Sequence, residues 1–355
     1  MPTLNIAHLR LHNQRLSESE FKNPADVVKW FGAVQAQDYL GAKWALGLRM
    51  QAASDERIEK AFADGEILRT HVMRPTWHFV APDDIRWLLK LTSPRVNAAS
   101  AYYYRKYELD NEVFARSNKA LKSALRGGKH LTRDELRTAV DRSGVASNDL
   151  IRFSHILLRA ELDAVICSGA RKGKQFTYAL LDERVPGIKA KSRDEALAEL
   201  TRRYFTSHGP ATLQDFTWWS GLTTADARSG VEMVQHHLAK AEIDGKTYWL
   251  PSSMPAIKRV GRVACLLPTY DEYLIAYKDR SAALDGKQAI PGNVVFSSPI
   301  VIGGRVVGSW KRSFQKEAVI ITLSPFSPLS KAETLAVTKA AHRYGSFLGL
   351  AAVLA

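Results

Sequence analysis

Cysteine is scarce in this chain of 355 residues, which contains only Cys167 and Cys265. The two lie far apart and lack metal-ligand spacing, which argues against a disulfide framework or a zinc site and indicates a reducing compartment. No apolar run is long enough to span a bilayer. The longest, 347–355, predicts the packed end of a helix. Residues 1–16 lack the apolar core of a secretion signal, so we expect a cytoplasmic protein.

Negative charge is also in deficit, since 36 Asp and Glu residues face 50 Lys and Arg residues and leave a net charge of +14. Two interpretations fit: a polyanionic partner, with nucleic acid ahead of an anionic membrane, or charge that serves solubility alone. The hydrophobic content of 46% is ordinary for a folded protein. The length predicts two or more domains.

One pattern of helix, turn, second helix and hairpin recurs three times along the chain. In the third copy the elements are Thr212–Phe216, a turn at Gly221, a helix through Val231, Val234, Leu238 and Ala241, and a strand at Thr247–Leu250. In the second they are a helix from Leu131, a turn at Gly144, a helix with Leu150, Phe153 and Leu157 on one face, a basic loop at Arg171–Lys174 and a strand at Phe176–Leu180. The pattern is that of a winged helix.

The first copy is looser, with helices at Val27–Val34 and Ile58–Ala63 and a hairpin formed by Leu68–Val72 and Thr76–Val80. The alternative is that an α+β protein contains such helix–hairpin pairs by chance. Beyond residue 256 the pattern becomes β-rich, and its last element is a helix with a capping box at its start. The segments are Val263–Leu267, Pro299–Trp310 with a Gly303-Gly304 turn, Ala318–Leu323, and a helix from Ser330 capped by Glu333.

The predicted fold class is therefore α+β, with three tandem winged-helix motifs followed by a C-terminal β-barrel-like domain. We place the three winged helices at 1–110, 111–190 and 191–255. The C-terminal domain occupies 256–355.

Four motifs, in this order and separation, resemble the AlkZ/YcaQ family of winged-helix DNA glycosylases. The resemblance covers nearly the whole chain and rests on Gly32–Asp38 (GAVQAQD), Arg74–Phe79 (RPTWHF), Pro268–Tyr273 (PTYDEY) and Gly304–Trp310 (GRVVGSW). It implies three winged helices and a β-barrel around double-stranded DNA. It also implies removal of N7-alkylated purines, in some members from interstrand crosslinks. We expect a monomer that needs no cofactor or metal.

The resemblance makes Gln35 and Gln37 the catalytic residues, since one branch of the family carries a Gln-x-Gln motif. Residues i and i+2 point to one side only in an extended segment, so a water held by both glutamines requires that the backbone leave the helix here. Glutamine orients water without being a strong base. The alternative is a pair of capping or surface glutamines. Asp38 follows the motif directly and adds a charge, and we assign it to DNA binding.

Further DNA-binding candidates are positively charged or imidazole side chains on predicted hairpins and in the C-terminal domain. They are Arg69, His71, Arg74 and His78 on the first hairpin, Arg171, Lys172 and Lys174 in the basic loop, and Arg312. Charges at Lys258, Arg259 and Arg262 fit the same surface. Such groups supply affinity through phosphate contacts. The alternatives are a partly buried hairpin with polar edges and a solvated loop.

Aromatic residues alternate with positive charge in 102–107 (YYYRKY). Two interpretations apply: stacking on sugars or bases, or a helix with core-facing tyrosines and a basic rim, which we favour. The adjacent Trp218 and Trp219 are expected in the core.

The leading functional hypothesis is a monofunctional DNA glycosylase that hydrolyses the N-glycosidic bond of N7-alkylpurines with a glutamine-positioned water. The motif contains no lysine nucleophile, which disfavours a Schiff-base mechanism. The alternative is a non-catalytic winged-helix DNA-binding protein or transcription regulator, whose binding would not depend on either glutamine. A scaffold that recruits a partner protein is a third, weaker hypothesis.

Overall fold

The computed structural model describes residues 5–147, 149–187, 191–253, 263–284 and 297–355. The fold is mixed α+β, as predicted, and the chain divides into two compact units. The first unit comprises Met1–Glu59, Ala198–Trp219 and Thr223–Ala355; the second comprises Lys60–Leu197 and Ser220–Leu222. The predicted domain boundaries and the count of three winged helices stay predictions.

A five-stranded sheet carries the C-terminal part of the first unit. Its strands, in spatial order, are Ala351–Leu354, Ala318–Pro325, Arg305–Phe314, Pro299–Ile302 and Ala264–Leu266. All neighbours are antiparallel except the first pair, which is parallel. Within the described residues the sheet is open, with its first and last strands at the two edges. The expected barrel-like domain is therefore an open half-barrel.

The final helix, Lys331–Leu348, confirms the predicted capping box, because Ser330 accepts from the Glu333 amide and Glu333 accepts in return. The expectation that 347–355 ends a helix was wrong in part. The helix stops at Leu348, Gly349 adopts a left-handed conformation with φ of 69°, and Ala351–Leu354 forms a strand. A glycine in that conformation ends a helix without the strain of a side chain.

The first unit also contains most of the third predicted winged-helix segment. The helices Leu213–Ser220 and Thr224–Val234 are followed by a 3-10 turn, Gln235–His237, and a hairpin of Leu238–Ile243 and Lys246–Pro251. The predicted continuation of the helix through Leu238 and Ala241 was wrong. Spacings of three and four at a few positions also occur in a strand, and the two-residue turn Asp244-Gly245, with positive φ at both positions, closes a hairpin instead.

The remaining helices of the first unit lie mainly in its N-terminal part. They are Ile6–Asn13, Pro24–Phe31, Tyr39–Gly47, Arg193–His208 (which begins in the second unit) and Glu272–Ile275. Trp44 joins this part to the final helix: its ring packs 4.9 Å from that of Tyr344 and 5.1 Å from that of Phe347. Its indole N–H donates to the Leu266 carbonyl at 2.7 Å.

The second unit follows the order predicted for the second winged helix. Helices Arg133–Arg142 and Leu150–Leu162 flank the turn at Gly144. A short strand, Leu131–Thr132, precedes them, and the strands Ile166–Ser168 and Thr177–Leu180 follow. The three strands form a sheet with Thr177–Leu180 in the centre. Its other elements are the hairpin Leu68–Val72 and Arg74–Val80, and the helices Asp55–Asp64 (which begins in the first unit), Pro82–Lys106, Asn111–Leu125 and Leu181–Arg184. Apolar residues of these helices, among them Phe114, Leu121, Leu136 and Phe153, form its core.

No helix in the described ranges is long and apolar enough to cross a membrane. The cytoplasmic location stays a prediction.

Candidate active site

The Gln-x-Gln segment lies between two helix ends. The helix Pro24–Phe31 stops at Gly32, whose φ of 85° turns the chain out of the helix, three residues earlier than the predicted end at Val34. Asp38 caps the next helix, Tyr39–Gly47, by accepting a hydrogen bond from the Gly41 amide at 3.2 Å. The stretch between these caps is not helical, and Val34–Gln35 is a short strand. This confirms the expected departure of the backbone from the helix.

Gln35 is buried, with 7% of its surface exposed. Its backbone N–H donates to Oε1 of Glu272 at 2.7 Å. The side-chain Oε1 of Gln35 is buried and has no hydrogen-bond partner among the residues that the structure describes. Burying an amide oxygen without a partner costs about 1–3 kcal/mol, so this atom is poised to accept a hydrogen bond.

Glu272 connects Gln35 with Trp219 and His208. It lies at the start of the helix Glu272–Ile275 and is almost completely buried. Its second carboxyl oxygen, Oε2, accepts from the indole N–H of Trp219 at 2.9 Å and lies 3.4 Å from Nε2 of His208. Both oxygens therefore have donors, one from the backbone of the catalytic segment and the other from the core.

The neighbouring Asp271 forms a buried, bidentate ion pair with Arg49. Each of the two terminal guanidinium nitrogens donates to a different oxygen of the Asp271 carboxylate at 2.8 Å. The other N–H groups of Arg49 donate to the Ala45 carbonyl and to two oxygens of Gln14. Burial alone would lower the pKa of Arg49, and the adjacent Asp271 outweighs it and raises that pKa. The pair fixes the chain position from which Glu272 reaches Gln35.

His208 is fully buried between aromatic rings. Its imidazole stacks on Tyr204 at 4.7 Å between centroids and lies 5.1 Å from Phe31. Its Nδ1 lies 2.8 Å from the Ser207 hydroxyl. Burial lowers the pKa of His208 below its ordinary value, with Arg49 acting in the same direction and Glu272 opposing it. The imidazole is therefore neutral at neutral pH.

We expect acid to destabilise the protein partly through His208. Because the folded-state pKa of His208 lies below 6.5, the unfolded chain takes up its proton first as the pH falls below that value, and stability is lost. The variant His208→Gln should show a shallower decrease of the free energy of unfolding with falling pH, whatever its stability at neutral pH. Denaturant unfolding over a pH series measures both slopes. Equal slopes would contradict the expectation.

The three predicted residues of the motif have different surroundings. Gln35 is buried, Gln37 is exposed and Asp38 is half-buried as a helix cap. The contact of Asp38 with the Gly41 amide is close enough that a side chain at Gly41 would lie 2.6 Å from the Asp38 carboxylate. Asp38 thus has a structural role in the first place, and its contact with DNA stays a prediction.

The four candidates on the first hairpin are partly or fully buried. The Arg69 guanidinium lies 4.3 Å from the ring centroid of Trp77. His71 pairs through Nδ1 with the buried carboxylate of Glu161. His78 is fully buried, with Nδ1 2.9 Å from the Thr76 carbonyl, and Arg74 is half-buried. Their contacts with DNA stay predictions. Their burial fits the alternative stated above, a partly buried hairpin with polar edges.

The loop candidates are more accessible. Lys174 is exposed, Lys172 is exposed and pairs with Glu135 at 3.1 Å, and the Arg171 guanidinium lies 5.3 Å from the Phe176 ring. Arg312 donates to the Tyr344 hydroxyl at 2.8 Å, and burial raises the pKa of that tyrosine to about 12. Lys258, Arg259 and Arg262 lie outside the described residues.

The sequence interpretation gave no role to the residues that hold Gln35. Asp271 and Glu272 belong to a quoted motif, yet Arg49, His208 and Trp219 were not connected with it. Two acidic residues that follow the apolar run Ala264–Leu267 after three intervening residues are a usable signal, since a charge in an apolar setting needs a partner. Of the tryptophan pair expected in the core, Trp219 is fully buried and Trp218 is 41% exposed.

The sequence matches the family "DNA glycosylase AlkZ-like" over residues 28–347. The chain belongs to this family. As an AlkZ-like protein it is a DNA glycosylase, a hydrolase of N-glycosyl bonds. The matched residues include Gln35 and Gln37 and the residues that hold Gln35, namely Arg49, His208, Trp219, Asp271 and Glu272.

Two similarities with named relatives extend over nearly the full length of this AlkZ-like chain. It is 26% identical to "Interstrand DNA cross-link repair glycosylase" of Streptomyces sahachiroi over 359 aligned positions, which cover 94% of this chain and 93% of the relative. Its fold is similar to that of the solved structure "Streptomyces sahachiroi DNA glycosylase AlkZ", with a TM-score of 0.81, 22% identity, and coverage of 99% and 98% of the two chains.

Proposed function

We propose that this glycosylase hydrolyses the N-glycosidic bond of N7-alkylated purines in double-stranded DNA, and that Gln35 and Gln37 hold the attacking water. The observation that carries the proposal is the buried Oε1 of Gln35, which has no hydrogen-bond partner in the described part of the chain. A carbonyl oxygen of this kind accepts a hydrogen bond from water and orients its oxygen.

The substrate suits a positioned water because alkylation at N7 leaves the purine with a positive charge. When the bond between C1′ and N9 breaks, its electron pair neutralises that charge and the base leaves without needing a strong acid. The water oxygen bonds to C1′ and releases one proton. Positioning then contributes more than general base catalysis, for which glutamine is unsuited.

Hydrogen bonds around Gln35 support the positioning of this water, because they fix the backbone that carries the glutamine. The strand backbone is tied to Glu272 at 2.7 Å, and Glu272 is held by the Trp219 indole. Gln37, two residues further in the same non-helical stretch, is exposed and can reach a substrate in solution. A buried glutamine whose backbone is held and an accessible glutamine two residues away suit a reaction on a large polymer.

Interstrand crosslinks are the second substrate class that we propose, since the Streptomyces sahachiroi relative is named for their repair. A crosslinked purine is tied to the opposite strand, so it cannot be turned fully out of the helix into a closed pocket. Hydrolysis by a water that Gln35 holds at the short strand Val34–Gln35 suits such a substrate better than hydrolysis inside a deep base-binding cavity. The expected monomeric state stays a prediction.

The test is release of base from duplex DNA that carries N7-methylguanine or a nitrogen-mustard crosslink. We expect release by the wild type and loss of release in the double variant Gln35→Ala, Gln37→Ala, with duplex affinity retained. Gln51→Ala is the matched control, because Gln51 is an exposed glutamine of the same unit whose side-chain amide donates to the Ser19 carbonyl and not to any residue of the Gln35 site. Salt-sensitive duplex binding without release from either lesion would instead indicate a non-catalytic DNA-binding protein.

A further inference from the structure

The second unit contains an aromatic compartment that the proposed hydrolysis does not use. This cavity has a volume of about 470 Å³. The aromatic side chains that line it are His71, Trp77, Tyr103, His155 and Tyr178. Tyr103 and His155 stack nearly parallel, 4.8 Å apart at 21°, and Tyr103 is 44% exposed. A ring pair in this orientation at a cavity wall is a platform for another planar group.

A cationic compartment of about 400 Å³ lies next to it. Three positively charged side chains line this cavity: Arg69, Arg133 and Lys174. The acidic residue in the lining, Asp134, lies 3.3 Å from Arg137 and is partly neutralised by it. The lining therefore has an excess of positive charge and favours an anion.

Two of the cations are held in place. The buried Arg69 guanidinium lies 4.3 Å from the centroid of Trp77 and 4.6 Å from that of Phe176. Arg133 donates to the Leu150 carbonyl at 2.8 Å and to the Ser154 hydroxyl at 2.6 Å. Side chains fixed in this way bind an anion with less loss of conformational freedom than mobile ones. Lys174 is exposed and can close on the ligand.

The two compartments are adjacent, because Trp77, Arg133 and Tyr178 line both of them. A ligand that fills both would place a planar, weakly polar group in one and an anionic group in the other. The combined space is within the range of cavities that hold small organic molecules. Glu161 is a buried acid that is paired with His71, a residue of the aromatic lining.

We propose that these compartments bind one unpaired nucleotide, with its base in the aromatic compartment and its phosphate in the cationic compartment. Proteins bind unpaired bases by stacking them on aromatic rings and arginine planes, and phosphates by Arg and Lys. A base inside a duplex has both faces covered by its neighbours and cannot enter. The nucleotide is either free or extrahelical in a DNA strand, and the chemistry of the two compartments is the same for both.

The experiment measures binding and needs no catalysis, so it is independent of the glutamine hypothesis. Fluorescence anisotropy compares a labelled duplex that has one unpaired deoxyadenosine with the same duplex fully paired. We expect the wild type to bind the bulged duplex about tenfold more tightly, the order of magnitude of one stacked base. Deoxyadenosine monophosphate is added as a competitor. Displacement of the bulged duplex shows that a free nucleotide suffices, and a lack of displacement assigns the site to a nucleotide within a strand.

Matched pairs of variants separate this site from general attraction to DNA. Tyr103→Ala and Lys174→Glu should abolish the preference for the bulged duplex. Tyr102→Leu and Lys172→Glu should keep it, because neither residue lines a compartment. Leucine keeps an apolar side chain beside Tyr103, against which the Tyr102 ring packs edge-on at 5.3 Å, and Lys172 pairs with Glu135. Both lysine variants lower affinity for either duplex to a similar extent, so the ratio of the two affinities is decisive. A wild type without preference, or a preference that survives Tyr103→Ala and Lys174→Glu, would overturn the proposal.

Discussion

Glu272→Gln should slow base release about 100-fold, a loss typical of a misplaced catalytic group, with affinity for duplex DNA unchanged. The carboxyl group accepts hydrogen bonds from two donors, the Gln35 N–H and the Trp219 indole N–H. A glutamine of the same shape offers one oxygen and one NH2 group, so one of the two donors would face another donor. Glu272 does not touch the substrate in this scheme; it is a positioning residue for Gln35.

A double variant tests that dependence. If Glu272 acts through Gln35, the variant Glu272→Gln, Gln35→Ala should be no slower than Gln35→Ala alone, because the group that Glu272 positions is already missing. Single-turnover rates and duplex affinities, measured separately, give this comparison. Glu242→Gln is the control, since Glu242 is an exposed acid of the same unit whose carboxylate bonds to Lys240 and Thr247 and to no residue of the Gln35 site. If the rate loss of the double variant equals the product of the two single-variant losses, Glu272 acts in another way.

The local sequence contains the signals that shape the catalytic segment, although the predicted helix ran three residues too far, to Val34, and Asp38 was assigned to DNA binding and not to a helix cap. A glycine after an apolar helix and an Asp-Tyr-Leu-Gly stretch after the motif act within a few residues: Gly32 ends one helix and Asp38 begins the next. The capping box at Ser330 was predictable for the same reason. In each case a hydrogen bond or a backbone angle depends on neighbours in the chain, which the sequence displays directly.

The residues that hold Gln35 could not be predicted in this way. Glu272 lies 237 positions from Gln35, and His208 and Trp219 come from two further helices. Only the folded chain brings these groups together. The sequence shows that Asp271 and Glu272 follow an apolar run and need partners, but nothing in it selects Arg49 from among 50 lysine and arginine residues.

The errors in the predicted fold have a common physical cause. Leu238 and Ala241 lie in a short stretch of alternating apolar and charged residues, and 351–354 is a short apolar stretch. Both are too short for helical and strand periodicity to be separated. Strand pairing made both segments β-strands: Leu238–Ile243 pairs with Lys246–Pro251, and Ala351–Leu354 pairs with Ala318–Ile321. Hydrogen bonds to a neighbouring strand outweigh the weak intrinsic preference of a few residues.

Arg49→Met should lower the free energy of unfolding by about 3–5 kcal/mol, as expected when one partner of a buried ion pair is removed. Arg49 and Asp271 are almost completely buried, and the substitution leaves the Asp271 carboxylate charged and without its cation. It also removes the donors to the Gln14 and Ala45 oxygens. Arg49→Lys should recover only part of the loss, because an ammonium cannot form the two parallel bonds. Denaturant unfolding measures these differences.

The loss of unfolding free energy in Arg49→Met should depend on the charge of the Asp271 carboxylate that remains. In the double variant Arg49→Met, Asp271→Asn the buried carboxylate becomes a neutral amide, which can still cap the helix Glu272–Ile275 through its oxygen. We therefore expect the double variant to be less destabilised than the sum of the two single variants. Arg57→Met is the control: Arg57 is exposed, and its loss should change stability by no more than about 0.5 kcal/mol. Strict additivity would mean that Arg49 stabilises the fold through its bonds to Gln14 and Ala45 and not through its charge.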